Sequence, residues 1–205
     1  MKPSDFEIIL WDFDGVIIDS NTVREFGFRE VLKEFDSEQV DQLIDFHKAN
    51  GGWSRYVKFR YFYEEILKRP ISDNGVQELA NSFSSIMVEH LPNPELLIED
   101  TVRFIEEMYS QGKQMHIVSG SDGNELRALC EDLDLSKYFL SISGSPTPKS
   151  ALVREIINGG KISISRYCLI GDAVNDYDAA RENGIQFLGY NNEELIKHGN
   201  YIEKF

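Results

Sequence analysis

The chain has 205 residues, of which 41% are hydrophobic and 27% charged, with a formal net charge of −14. That length holds one α/β core, with or without a smaller inserted unit, and excludes two full enzymes. The acidic balance argues against a surface that wraps nucleic acid or an anionic membrane, since both need clustered Lys and Arg.

No apolar stretch reaches membrane-span length, and Met1-Lys-Pro-Ser-Asp5 is not followed by an apolar signal core, so a cytoplasmic location is expected. Cys130 and Cys168 lack a second cysteine at metal-ligand spacing and read as reduced core thiols.

The first element is the apolar run Ile8-Ile-Leu-Trp11, which reads as a strand buried on both faces of a parallel sheet. It ends in Asp12-Phe-Asp14-Gly15. Residues two apart in an extended segment project to the same side, so the two carboxylates can converge, and Gly15 permits a sharp turn. Taken alone, the pair reads equally as an ordinary Asp-Gly turn.

Ser20 or Asn21 caps a predicted helix running toward Phe35, and a second helical pattern covers Ser37 to about His47. The loop signal Asn50-Gly-Gly-Trp-Ser-Arg55 precedes a helix carrying Trp53, Tyr56, Phe59 and Tyr63 at spacings of three and four, a stripe read as packing core. Asp73 to Glu89 is a fourth helix. Asn93-Pro94 caps a helix ending near Gln111-Gly112.

Strand and helix then alternate. Strands are expected at Gln114–Val118, Phe139–Ile142, Tyr167–Ile170 and Gln186–Leu188, and helices at Asp122–Leu133, Ser150–Asn158 and Val174–Asn183. The β-α-β repetition predicts an α/β fold, a Rossmann-like doubly wound parallel sheet interrupted after its first strand by an all-helical block. Open parallel sheets bind ligands at the carboxyl ends of their strands.

Three strands are followed at once by small polar or acidic residues: Asp12 and Asp14, Ser119-Gly120-Ser121, and Gly171-Asp172 with Asp176 close behind. Lys149, in Thr147-Pro-Lys-Ser150, precedes a helix at the same edge. Clustered carboxylates raise one another's pKa unless a cation neutralises them, and an all-oxygen site suits Mg²⁺. Such an ion shares its sphere readily with phosphate oxygens, while Ser119 and Lys149 supply donors, so phosphoryl transfer fits best. Asp12, straight off the strand, is the expected nucleophile, and Asp14, at the turn, has the freedom expected of the acid and base.

Singly, each residue has a plainer role. Ser119 reads as a helix cap, Lys149 as a solvated lysine, and Asp172 and Asp176 as first-turn acids answering a helix dipole. Their joint arrival at the ends of alternating strands favours the chemical reading.

Asp12-Phe-Asp-Gly-Val-Ile-Ile-Asp-Ser20, Val118-Ser-Gly-Ser121, the lysine before a helix, and Gly171-Asp-Ala-Val-Asn-Asp176 together resemble the four motifs of the haloacid dehalogenase-like superfamily, in their usual order. The resemblance spans about residues 7 to 190. It implies an aspartyl-phosphate intermediate on Asp12, with Asp14 as acid/base and as a metal ligand through its main-chain carbonyl. It also implies phosphoryl binding by Ser119, Gly120 and Lys149, and a Mg²⁺ site of Asp12, Asp14 and Asp172 supported by Asp176.

The helical block resembles the inserted cap of the phosphoglycolate-phosphatase and β-phosphoglucomutase branch. It implies a core of residues 1–19 and 92–205 with a cap over 20–91. By the same resemblance Arg55, in the Gly-Gly-Trp-Ser-Arg loop, and Arg24 are candidates for contact with a distal anionic group of the substrate. As residues alone, both read equally as solvated helix-face arginines.

Asp14 argues against dehalogenation. Arg24 stands where β-phosphoglucomutases usually have histidine, and Gly171 where they usually have glutamate, which favours a phosphatase over a phosphomutase. The expected partner is a small phosphorylated metabolite, with a sugar phosphate as one candidate. A mutase, a phospho-acceptor receiver module and a non-catalytic binder are the rival readings, and the sequence does not specify an oligomeric state.

Overall fold

A computed structural model describes all 205 residues. Six strands form one parallel sheet: β1 (Ile8–Trp11), β2 (Gln114–Asp122), β3 (Ser141–Ser145), β4 (Tyr167–Gly171), β5 (Gln186–Tyr190) and β6 (Asn200–Ile202), in the order β3-β2-β1-β4-β5-β6. Strand order reverses between β1 and β4, which opens a crevice at their carboxyl ends.

All four β1 residues are buried. Ile9 and Trp11 pack on one face, with Met115, Ile117, Cys168 and Ile170. Ile8 and Leu10 pack on the other, with Leu152, Val153, Leu169 and Ala179. This two-sided burial explains why β1 reads as a continuous apolar run rather than an alternating one.

Between β1 and β2 lie α1 (Asn21–Val31), α2 (Ser37–Ala49), α3 (Arg55–Tyr61) and α4 (Asp73–His90), as the strand-free sequence between the first two strands predicts. Their shared core is aromatic: the Phe28 ring lies 5.3 Å from Phe59 and 4.5 Å from Phe83, centroid to centroid. Such tilted and edge-on pairs satisfy the ring quadrupoles.

The chain enters and leaves this block on paired backbone. Asp19 N donates to Leu96 O at 2.8 Å, and Ile98 N to Ile17 O at 2.9 Å. The remaining helices are α5 (Glu99–Ser110), α6 (Gly123–Asp132), α7 (Lys149–Gly159) and α8 (Val174–Glu182).

Three expectations need correction. The Trp53–Tyr63 stripe is not one buried face. Phe59 is fully buried, but Trp53 precedes the helix and is exposed, and the chain passes into a π-helical turn over Phe62–Ile66. Asn93-Pro94 opens only a short 3-10 turn, Pro94–Leu96; Leu97 then turns extended to pair with Ile18, and α5 starts at Glu99. The polar C-terminal segment hides a sixth strand, β6, too short to show an apolar pattern. Beyond it Phe205 covers Trp11, with ring centroids 5.6 Å apart. No helix is long and apolar enough to cross a membrane.

Because Phe28 packs against the rings of His47, Phe59 and Phe83 at the centre of the helical block, Phe28→Ala should cost about 3–5 kcal/mol. Urea denaturation followed by circular dichroism measures this, and a loss under about 1 kcal/mol would place the packing of the block elsewhere.

Candidate active site

The crevice beside β1 and β4 opens into a cavity of about 770 Å³, walled by the strand ends on one side and by α1, α2 and α3 on the other. Asp12 leaves β1 directly, its N–H donating to Ile170 O at 2.9 Å, and its side chain is almost wholly buried. Gly15 makes the following turn at φ +75°. A Cβ there would come within 2.0 Å of an Asp172 carboxylate oxygen, so glycine is needed both for the backbone and for the approach of Asp172.

Lys149 Nζ stands 2.8 Å from Asp12 Oδ1 and also pairs with Asp176 Oδ1. The contact with Asp12 is an ion pair without hydrogen-bond alignment, and neither Asp12 oxygen receives an aligned donor. Asp176, fully buried, accepts from Ala173 N at 3.0 Å through its other oxygen. One carboxylate oxygen each from Asp12, Asp172 and Asp176 lie within 4.8 Å of one another.

Burial, then the neighbouring Asp176 charge, push Asp12 up to about 7 despite Lys149. Asp172 is raised by burial and by Asp12 and Asp176. Three buried carboxylates beside a single ammonium, with an all-oxygen donor set, fit a hard divalent cation such as Mg²⁺.

The sequence gives Asp14 freedom at the turn, but the structure holds it firmly. Ser20 Oγ donates to Oδ1, Arg24 Nε donates to Oδ1 at 2.6 Å, and Ser121 Oγ donates to Oδ2 at 2.6 Å. Burial opposes ionisation, yet Arg24 and the hydroxyls keep this carboxyl at about 2. Ser20 thus serves Asp14 rather than capping α1, whose N-terminus shows no side-chain cap.

Ser119 does not cap α6 either; Asp122 does, accepting from Asn124 N and Glu125 N at 3.0 and 3.2 Å. Between the Val118–Ser143 and Asp122–Ser145 pairs, β2 advances four residues while β3 advances two, a bulge containing Ser119, Gly120 and Ser121. The bulge puts all three on the cavity wall. A Cβ on Gly120 would lie 1.9 Å from Gly52 O, so this loop and the Gly51-Gly52 loop of the helical block meet backbone to backbone.

Arg24 and Arg55 line the cavity, but neither is solvated or free. Arg55 holds Glu125 in a fork at 2.6 and 2.8 Å, and Arg24 Nη1 reaches the same carboxylate at 3.3 Å. Glu125, on α6, is the residue that sequence reading missed. Its only signal is its place three residues after the cap Asp122, which reads as an ordinary first-turn acid.

The fold is Rossmann-like, and the acidic crevice lies at its strand switch point. The profile of the haloacid dehalogenase-like hydrolases matches residues 9–190, and the chain belongs to that family. It is a hydrolase of that family, and the proteins it resembles include a phosphoglycolate phosphatase and a β-phosphoglucomutase.

Among its relatives is a phosphoglycolate phosphatase of Colwellia psychrerythraea, 20% identical over 209 residues that cover 97% of this chain and 92% of the relative. A β-phosphoglucomutase from Clostridium difficile has a similar fold, with TM-score 0.76 and 17% identity, covering 97% of this chain and 91% of that one. CbbY from Rhodobacter sphaeroides in complex with phosphate gives TM-score 0.75 and 15% identity, covering 97% and 94%.

The raised Asp12 pKa carries a definite pH signature. With a folded value of about 7 against an ordinary 3.8, Asp12 contributes stability below pH 3.8 that is lost as pH rises through 7 in metal-free protein. Asp12→Asn removes this titration. The thermal midpoint of the metal-free variant minus that of metal-free wild type should therefore grow from about pH 4.5 to about pH 7.5. A constant or shrinking difference in differential scanning calorimetry would contradict the assignment.

Proposed function

We propose that the protein is a Mg²⁺-dependent phosphatase that hydrolyses a small phosphomonoester through an aspartyl phosphate on Asp12. The observation that carries this reading is the Asp12 carboxylate itself: buried at a strand end, without an aligned donor, beside Lys149 and two more carboxylates. A buried acid so placed is a costly feature with no structural use. The family's hydrolase chemistry, the curated phosphatase relative and the complexes of CbbY with phosphate and with a xylulose bisphosphate all support a phosphorylated small molecule as substrate.

Asp12, Asp172 and the main-chain carbonyl of Asp14 would hold Mg²⁺, with Asp176 behind them. When bound, Mg²⁺ supplies positive charge that favours the ionised form of Asp12 and screens the phosphoryl oxygens. Lys149 and Ser119 orient the phosphoryl group from the other side.

In the first half-reaction an Asp12 oxygen attacks phosphorus, the ester P–O bond breaks, and the leaving oxygen takes a proton from Asp14. In the second, Asp14 takes a proton from water as its oxygen attacks phosphorus, which frees Asp12 and inorganic phosphate. Asp14 as held here is ionised and suited to the second half. Donating in the first half requires a protonated Asp14 and a loosened Arg24 contact. The helical block over residues 20–91 acts as a cap that shuts out bulk solvent and restricts substrates to small molecules, leaving the one water that Asp14 activates.

Wild type with Mg²⁺ should release phosphate from members of a phosphomonoester panel. Asp12→Asn and Asp14→Asn should each lower kcat by about 10³-fold or more, and chelation should remove activity. Turnover by Asp12→Asn equal to wild type, or no turnover of any monoester, would sink the proposal.

A further inference from the structure

Among the cations that line the cavity, one is buried without an acidic partner. Lys58, on α3, is 3% exposed, and it lies on the cavity wall beside Arg24, Arg55 and the rings of Phe28 and Phe83. Its Nζ has a single partner, His47 Nδ1 at 2.8 Å, and no carboxylate lies within ion-pairing distance, whereas both neighbouring arginines are paired.

Charge bookkeeping in this deep part of the cavity is uneven. Arg24 and Arg55 are matched by Asp14 and Glu125, which leaves Lys58 over. The other charged groups nearby are peripheral: Lys48 pairs with Glu25 at 3.2 Å on the cap side, and Asp45 of the cap and Glu194 of the core are exposed at the rim.

Two further observations point the same way. Arg24 Nη2 is buried on this wall with no acceptor. His47 is held neutral, its pKa pushed down to about 3 by burial and by Lys58 and Arg24, so Nδ1 accepts from the lysine and cannot compete with it for an anion. Burial, then the arginine charges, bring Lys58 itself down to about 7. A buried ammonium without a counter-charge is unfavourable, and an incoming negative group would remove the penalty.

We propose that Lys58, seated on His47 and flanked by the free Nη2 of Arg24, is a receptor for a second negatively charged group of the substrate. The enzyme then selects phosphomonoesters that carry a carboxylate or a further phosphate over those with a neutral remainder. Arg55, whose fork is taken by Glu125, is not the receptor. This inference rests on the phosphatase reading for the identity of the first anionic group.

Matched pairs test it. Phosphoglycerate and glycerol phosphate share a skeleton and differ by a carboxylate; a pentose bisphosphate and its monophosphate differ by a phosphate. Binding is measured by calorimetry on Asp12→Asn protein with Mg²⁺, which needs no turnover. At least one anionic member should bind about tenfold tighter than its neutral counterpart, and Lys58→Met should reduce that ratio to about twofold or less. The pair that responds tells carboxylate from phosphate.

Lys58→Gln, which keeps a donor and drops the charge, serves as the second variant if the methionine protein fails to fold. No preference in either pair, or a preference that survives loss of Lys58 in folded protein, overturns the proposal. Absence of phosphate release by wild type from every member of the phosphomonoester panel, charged remainders included, would instead count against the phosphatase reading, and the binding ratios would still decide the role of Lys58.

Discussion

Carboxylates crowded at the ends of two adjacent strands repel one another, and the site is organised around their neutralisation. Asp12 and Asp172 arrive from β1 and β4, and Asp176 comes from the first turn of α8. Lys149 is wedged between Asp12 and Asp176, which supply most of its raised affinity for a proton once burial is overcome. One ammonium does not balance three acids. The residual repulsion shows in the upward shifts of Asp12 and Asp172, and under the proposed function it is what a bound cation would relieve.

Asp14 is neutralised separately, and that difference divides the labour between two carboxyls two residues apart. Arg24 and two hydroxyls keep Asp14 ionised while Asp12 is left without an aligned donor. The chain of contacts Asp14–Arg24–Glu125–Arg55 runs from the turn after β1, through α1, to α6 and α3. It ties the helical block to the core, together with the Tyr56 hydroxyl on Asp122 and the Asn175 amide on Gly52 O. Through Arg24, the position of the helical block bears on the state of Asp14.

The sequence revealed the sheet because β1, β2 and β4 are buried and therefore dense in apolar residues, and it revealed the strand-end acids because they follow those runs at once. It hid β6, which is three residues long and polar, and it misread Asn93-Pro94, where pairing with Ile18 overrides a good cap signal. The partnership of Arg24 and Arg55 with Glu125 was not legible, since it joins residues 101 and 70 positions apart and no local pattern marks it. Lys58 and His47 fall eleven positions apart on different helices, so their contact too exists only in the fold.

The central claim is that Asp12 becomes phosphorylated. The most direct measurement is acid quenching during steady-state hydrolysis of a phosphomonoester substrate, followed by proteolysis and mass spectrometry of the peptide carrying residues 8–20. The account predicts one acid-stable, hydroxylamine-labile phosphoryl group on Asp12 in wild type and none in Asp12→Asn. Turnover without that adduct, or an adduct that persists in the variant, would contradict it.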